Sequence, residues 1–353
     1  MQIDAHTHIL SLAADRDFTA AYGREGSLCI YRARGILPSH RPPTEAEWRA
    51  AGVTEDGFRV AGPAESTADH PGFDRIVVLA VSPQWLDGRL IGTVDTDGVT
   101  DVPGPPHPDK CNDYIASVVR SDPGRFVGFG SVNPLYKGTA AAVEEIERCV
   151  ELGLSGLKLY PMYQHWAPND RELGFPIFEK AAELDLPVMV HQAGSTRIDA
   201  RMELGRPALL DDIGREFGEL RVIIAHCGLP WVDEAMFLLT KHPNFYADLS
   251  YRIATITRPE LFRWLASLEA YFVPLDKLFF GTDYPGFLYD PVALREKLLG
   301  VNEEAERWGL EPIPPARLGG IMGDNVARVL RLDRGGEYTV DQVVAGTSDG
   351  GET

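Results

Sequence analysis

The chain has 353 residues, of which 44% are apolar, and a formal net charge of −18. That length suits one α/β barrel with insertions better than a pair of small domains. So acidic a surface repels phosphate backbones, which argues against nucleic acid as a partner, and no run of about 18 apolar residues offers a membrane span.

Met1 leads straight into the first apolar run, Gln2-Ile3-Asp4-Ala5-His6. No basic stretch or signal core precedes it, so a cytoplasmic protein is expected. Residues 9–74 follow, about 65 positions rich in Pro, Gly, Arg and charge; a loop of that length usually has a role of its own, here as a lid or an interface. Further apolar runs occupy 75–81, 126–132, 156–160, 187–191, 221–226, 245–249 and 277–281. Most are continuously hydrophobic, as parallel strands buried on both faces are. Helical periodicity lies between them: Cys111, Tyr114, Ile115, Val118 and Val119 form one stripe, Val143, Ile146 and Val150 another. Further helices are expected over 175–184, 207–217, 231–240, 259–270 and 291–299.

Eight rounds of strand and helix predict an α/β fold, a (β/α)₈ TIM-type barrel with a long insertion after the first strand. A doubly wound sheet is the alternative, but no glycine-rich nucleotide fingerprint follows the first strand. One domain is expected over 1–335, including the insertion, with 336–353 a loose or disordered tail. Cys29, Cys111, Cys149 and Cys227 form no C-x-x-C pair and read as reduced, packed thiols. Cys227 adjoins a histidine of interest, but strand alternation turns it to the opposite face.

The chemistry gathers at strand ends. His6 and His8 are two apart, so an extended chain sends both to one face. Lys158 lies in the fourth run, His191 ends the fifth, His226 ends the sixth and Asp283 follows the eighth. Each alone has a bland reading: a lone histidine is more often structural, a lysine is usually a surface charge, and an aspartate caps a helix. In a closed barrel, however, all six converge at one mouth, and burying them without a compensating ion is costly. Imidazole and carboxylate are a ligand set for zinc, tolerated also by manganese or iron. His40, His70, His107 and His242 read as structural or exposed. His165, Tyr163, Trp166 and Arg252 follow strands and are candidates to line a substrate pocket, though loop packing explains such residues equally well.

The motifs Asp4-Ala5-His6-Thr7-His8, Gly156-Leu157-Lys158-Leu159-Tyr160-Pro161, Ala225-His226-Cys227-Gly228 and Gly281-Thr282-Asp283-Tyr284-Pro285, with the His191 strand, resemble the amidohydrolase superfamily. The likeness is to its amidohydrolase-related, aminocarboxymuconate-semialdehyde decarboxylase-like branch, over about residues 1–332. The resemblance implies a single metal, Zn²⁺ with Mn²⁺ or Fe²⁺ as substitutes, bound by His6, His8, His191 and Asp283. His226 and Asp283 would then do acid–base work. A carbamylated Lys158 bridging two ions is the less favoured variant, with His191 and His226 on the second ion. A homodimer is also implied.

The expected function is hydrolysis of an amide, ester, lactone or activated carbon–carbon bond in a small molecule, through metal-activated water. Non-oxidative decarboxylation of an aromatic or muconate-type acid is the rival, which an arginine beside the metal would favour. Arg252, Arg197, Arg32, Arg34 and Arg41 are the candidates. A barrel that binds without catalysis is the third reading.

Overall fold

A computed structural model describes residues 1–9, 28, 31–32, 35–51, 62–82, 84–86, 89–91, 110–197, 200–270, 272–285 and 290–332. Much of the 9–74 insertion, the 336–353 tail, Cys29, Arg34 and His107 lie outside these residues.

Eight parallel strands form the barrel: β1 (Ile3–Thr7), β2 (Arg75–Leu79), β3 (Phe126–Phe129), β4 (Leu157–Leu159), β5 (Val188–Val190), β6 (Val222–Ile224), β7 (Phe245–Asp248) and β8 (Leu278–Phe279). β1, β2 and β3 pair in that order, and β4 to β8 pair as a second run. Two seams join the runs. At one, Gly130 bridges Leu157, with Lys158 N–H donating to Gly130 O at 2.7 Å. At the other, Ala5 N–H donates to Phe280 O and Asp283 N–H to His6 O. The TIM-type barrel expected from the sequence is therefore the fold.

Alternation along each strand explains the two layers of core. Ile3, Ala5, Val77, Leu79, Val127, Phe129, Met189, Ile223 and Phe279 pack together inside the barrel. Their neighbours, such as Leu157, Leu159, Val188, Val190, Val222 and Ile224, face outward against the surrounding helices. Those helices are α1 (Lys110–Ser121), α2 (Thr139–Glu151), α3 (Phe175–Glu183), α4 (Asp211–Glu216), α5 (Val232–Lys241), α6 (Arg258–Ala270) and α7 (Pro291–Leu299). A last helix, α8 (Asn325–Leu330), packs Val326, Ala327, Val329 and Leu330 onto the interior cluster and closes the barrel at the end opposite the C-terminal ends of the strands. No helix among the described residues is long and apolar enough to cross a membrane.

Two local readings change. The buried face of α2 is Ala142, Glu145, Ile146 and Cys149, whereas Val143 and Val150 sit half-buried on its flanks. Glu145 is tolerated inside because Arg148 and Asn112 both donate to it, as a buried carboxylate requires. The expected 207–217 helix is a 3₁₀ turn, Pro207–Leu210, followed by the short α4.

The described part of the insertion includes helices Glu45–Ala50 and Pro63–Asp69. Thr44 and Glu47 form a capping box on the first. Tyr31, Leu37, Trp48 and Ala51 make a small apolar cluster of their own. After the second helix, His70 lies 3.1 Å from Asp4 Oδ2 through Nε2 and 2.6 Å from Ser66 O through Nδ1, which ties the insertion to β1.

Gly156 marks how tightly the β3–β4 seam is packed, since a Cβ there would lie 2.6 Å from the Phe129 ring. Gly156→Ala should therefore cost about 1–3 kcal/mol through overpacking. Urea unfolding followed by circular dichroism measures the loss.

Candidate metal centre at the barrel mouth

Strict alternation would turn His6 away from the interior, because Ile3 and Ala5 face inward. The β1–β2 register shifts between Asp4 and Thr7, and this irregularity lets His6 join the interior at the mouth. Asp4, left facing outward, accepts from Thr282 N–H at 3.0 Å and from Thr282 Oγ1–H at 2.5 Å. It thereby anchors the loop that carries Asp283.

The side chains then meet in one place. His6 Nδ1 lies 3.0 Å from Asp248 Oδ2, and its Nε2 lies 3.5 Å from Asp283 Oδ1. His8 Nδ1 is 3.3 Å from Leu79 O, and its Nε2 is 3.3 Å from the same Asp283 oxygen. With Asp248 and Leu79 O accepting the Nδ1 protons, both imidazoles present an Nε2 lone pair to Asp283. A carboxylate or carbonyl behind each imidazole is how proteins orient histidines towards a cation.

A second chain of hydrogen bonds starts at the same carboxylate. Ser250 Oγ–H donates to Asp248, His226 Nδ1 lies 2.8 Å from Ser250 Oγ, and His226 Nε2 lies 3.2 Å from His191 Nδ1. If each bond is made, the protons run from His191 towards Asp248. His191 Nε2 is then a buried lone pair with no partner among the described residues. Among the described residues, two donor groups are compact enough for a cation: His6, His8 and Asp283, and His6, His226 and Asp248. This donor chemistry, with the orphaned His191 nitrogen beside it, fits a divalent ion.

Burial sets the protonation states. It is the largest cause lowering His6, His191 and His226, the last to about 3 with His6 adding repulsion. Burial alone would raise Asp248 and Asp283, but facing imidazoles hold Asp248 well below the usual carboxylate range, and the His8 bond with those imidazoles does so for Asp283. Neutral imidazoles and ionised carboxylates are the forms a cation needs. Lys158 complicates the picture. Its Nζ is 3.5 Å from His6 Nε2 and 5.2 Å from the Tyr160 ring centroid, and burial brings it down to about 8. A cation and a protonated Lys158 would compete for the same His6 nitrogen.

The remaining candidates separate. The Tyr163 ring packs 4.8 Å from that of His191, and the Arg197 guanidinium lies 4.9 Å over Tyr163. His165 ends the helical turn Pro161–Gln164 in a left-handed conformation, half-buried. Trp166 packs in the core, 2% exposed, and its Nε1–H donates to Gln164 Oε1. Arg252 stacks over Trp264 of α6, 5.3 Å from its ring centroid, and so takes a place against an outer helix. Arg32 and Arg41 hydrogen-bond within the insertion. Cys227 Sγ–H donates to Asp248 O and lies in the outer core.

Sequence reading passed over Asp248 and Ser250, and gave Asp4 no role beyond its place in the first motif. A signal for Asp248 existed, since a carboxylate ends the apolar run Phe245-Tyr246-Ala247-Asp248 at the same barrel end as the histidines. Ser250 carries no comparable mark.

A closed parallel barrel with imidazoles and carboxylates gathered at the C-terminal mouth defines the class: a barrel built around a cation site. The chain belongs to the amidohydrolase family, whose Amidohydro_2 model matches residues 3–332. It is similar to the 2-amino-3-carboxymuconate-6-semialdehyde decarboxylase of Dictyostelium discoideum, 40% identical over 81 residues, which cover 23% of this chain and 22% of that enzyme. It is also similar to the gamma-resorcylate decarboxylase of Rhodococcus jostii, 25% identical over 273 residues, covering 64% of this chain and 76% of that one. In fold it matches a dihydroxybenzoic acid decarboxylase of Polaromonas solved with manganese and 2-nitroresorcinol. There the TM-score is 0.57 at 17% identity, over 96% of this chain and 99% of that one.

Asp248→Asn would keep the shape while weakening the acceptor behind His6. Divalent-cation affinity should fall about 10–100-fold, read by titration calorimetry, with the circular dichroism spectrum unchanged.

Proposed function

We propose that the protein is a metal-dependent decarboxylase of a small aromatic or muconate-type carboxylic acid. The observation that carries this reading is that both curated relatives described above are decarboxylases, joined to a mouth with donors for a divalent cation. Hydrolysis, the first expectation from the sequence, has no such support from those relatives. His6, His8 and Asp283 would hold one ion, completed by His191, whose buried Nε2 is otherwise without a partner among the described residues. Nitrogen and carboxylate donors suit Mn²⁺ as well as Zn²⁺.

The bound ion would supply an electrophile for the carboxylate of the acid and its neighbouring oxygen. The chain supplies the rest. Asp248, acting through Ser250, fixes the His226 ring against His191. From there His226 would deliver a proton to the carbon that loses its carboxylate. The carbon–carboxylate bond breaks, its electron pair stays on that carbon and takes the proton, and carbon dioxide leaves. Tyr163 beside His191 gives a flat wall suited to a planar acid.

Manganese-loaded protein incubated with 2,6-dihydroxybenzoate and related acids should release carbon dioxide, and His226→Asn should slow that release about 10²–10⁴-fold. Turnover of esters or lactones with no carbon dioxide from any acid would overturn the reading. Metal analysis of the purified protein should give one equivalent per chain. Two equivalents with a carboxylated Lys158 would instead establish the binuclear arrangement.

A further inference from the structure

We propose that the end of the insertion, Asp69-His70, is a positioning clamp on the loop that carries Asp283, so that the insertion sets how tightly the mouth holds its cation. The inference rests on the metal-site part of the reading above and not on the reaction.

Two routes reach the loop, one on each side of Asp283. On one side His70 Nε2 lies 3.1 Å from Asp4 Oδ2, and that carboxylate accepts from Thr282 N–H and Oγ1–H. On the other side Tyr284 O–H donates to Asp69 Oδ2 at 2.6 Å. The His70 and Tyr284 rings also meet edge to face, with centroids 4.9 Å apart. His70, Asp4 and Thr282 are fully buried, so a partner lost here leaves a buried polar group unmatched. An ionised carboxylate only accepts. Asp4 takes His6 N–H as well, and His70 meets it as one more donor.

The clamp has its own anchors away from the metal ligands. His70 O accepts from Arg125 Nη2 at 2.7 Å, just before β3, and Pro71 O accepts from Arg295 Nη1 of α7 at 2.7 Å. His70 Nδ1 faces Ser66 O at 2.6 Å, in the helix that ends the insertion.

Asp283 needs such a hold. Its φ is +60°, a backbone that a non-glycine residue keeps only where its surroundings fix it. From the barrel side β1 holds the loop, with Asp283 N–H donating to His6 O and His8 N–H donating to Tyr284 O. The insertion holds it from the other side. A ligand set in place before binding raises affinity, because less ordering accompanies binding.

The test uses the full-length protein, with manganese alone as the probe. In the metal-free protein His70→Ala should speed amide hydrogen exchange over residues 281–285, with the barrel strands exchanging as before. Its manganese affinity by calorimetry should fall about tenfold, the low end for groups that orient ligands. His70→Gln keeps an N–H donor for Asp4 and should restore most of both, which a loss of ring packing would not allow. On a Thr282→Val background His70→Ala should weaken manganese binding little further, since the route through Asp4 is already cut. Tyr284→Phe removes only a hydroxyl and should show the same two changes to a smaller degree, whether or not His70→Ala folds. Unchanged exchange at 281–285, unchanged manganese affinity, or losses that simply add on the Thr282→Val background would each overturn the proposal. A wild type that binds no manganese sinks the metal reading, and the exchange comparison then decides the clamp by itself.

Discussion

The carboxylate of Asp248 lies beneath the mouth of the barrel, fully buried at the end of β7, and three imidazoles take their orientation from it. It faces His6 directly, and through Ser250 it reaches His226 and then His191. Backbone N–H groups of His226 and Ser250 also donate to it, at 3.3 and 2.9 Å. An ion this deep would be strongly disfavoured without such a set of donors. Because the donors are the site's own side chains, the group that stabilises the carboxylate is the same group that the carboxylate positions. Loss of either side leaves the other buried and unpaired.

Backbone strain is concentrated in the same region. His226, Cys227, Tyr251 and Asp283 all have positive φ, near 50–60°, which costs non-glycine residues about 1–3 kcal/mol each. Each stands where the chain leaves a barrel strand. The left-handed turn lets His226 and Asp283 point back over the strand ends instead of continuing along them. Surrounding hydrogen bonds hold these conformations, among them Asp283 N–H to His6 O and the Thr282 pair to Asp4. Asp4 and Asp248 therefore divide the work: one fixes the loop bearing the carboxylate ligand, the other fixes the imidazoles.

Two buried cations lie near this anionic framework. Lys158, on β4, is within reach of the His6 nitrogen, and Arg197 lies over Tyr163 at the outer end of the same wall. An overall charge of −18 would by itself discourage an anionic ligand. The interior field is set by these nearby groups, together with any bound ion, because short distances in a poorly polarisable interior outweigh a screened surface.

From the sequence alone came the eight-strand order and the residues that end those strands in histidine or aspartate. Continuous apolar runs separated by helical stripes have few other solutions, and strand ends in a parallel barrel share one face. The same reasoning misjudged the inner face of α2, where Glu145, paired with Arg148 and Asn112, is buried and Val143 and Val150 are only half-buried. Periodicity reports which residues are apolar, whereas the partner that compensates a buried charge, or the helix that captures a ring, is distant in the chain. His6 shows the division most clearly. Its spacing from His8 was legible, but an ideal strand would have turned it outward with Asp4. A register shift against β2 brings it inside, and Asp248, 242 residues away, decides which of its nitrogens is left for a cation. Pairing register and long-range hydrogen bonds exist only once the barrel has closed, so only the tertiary structure could settle them.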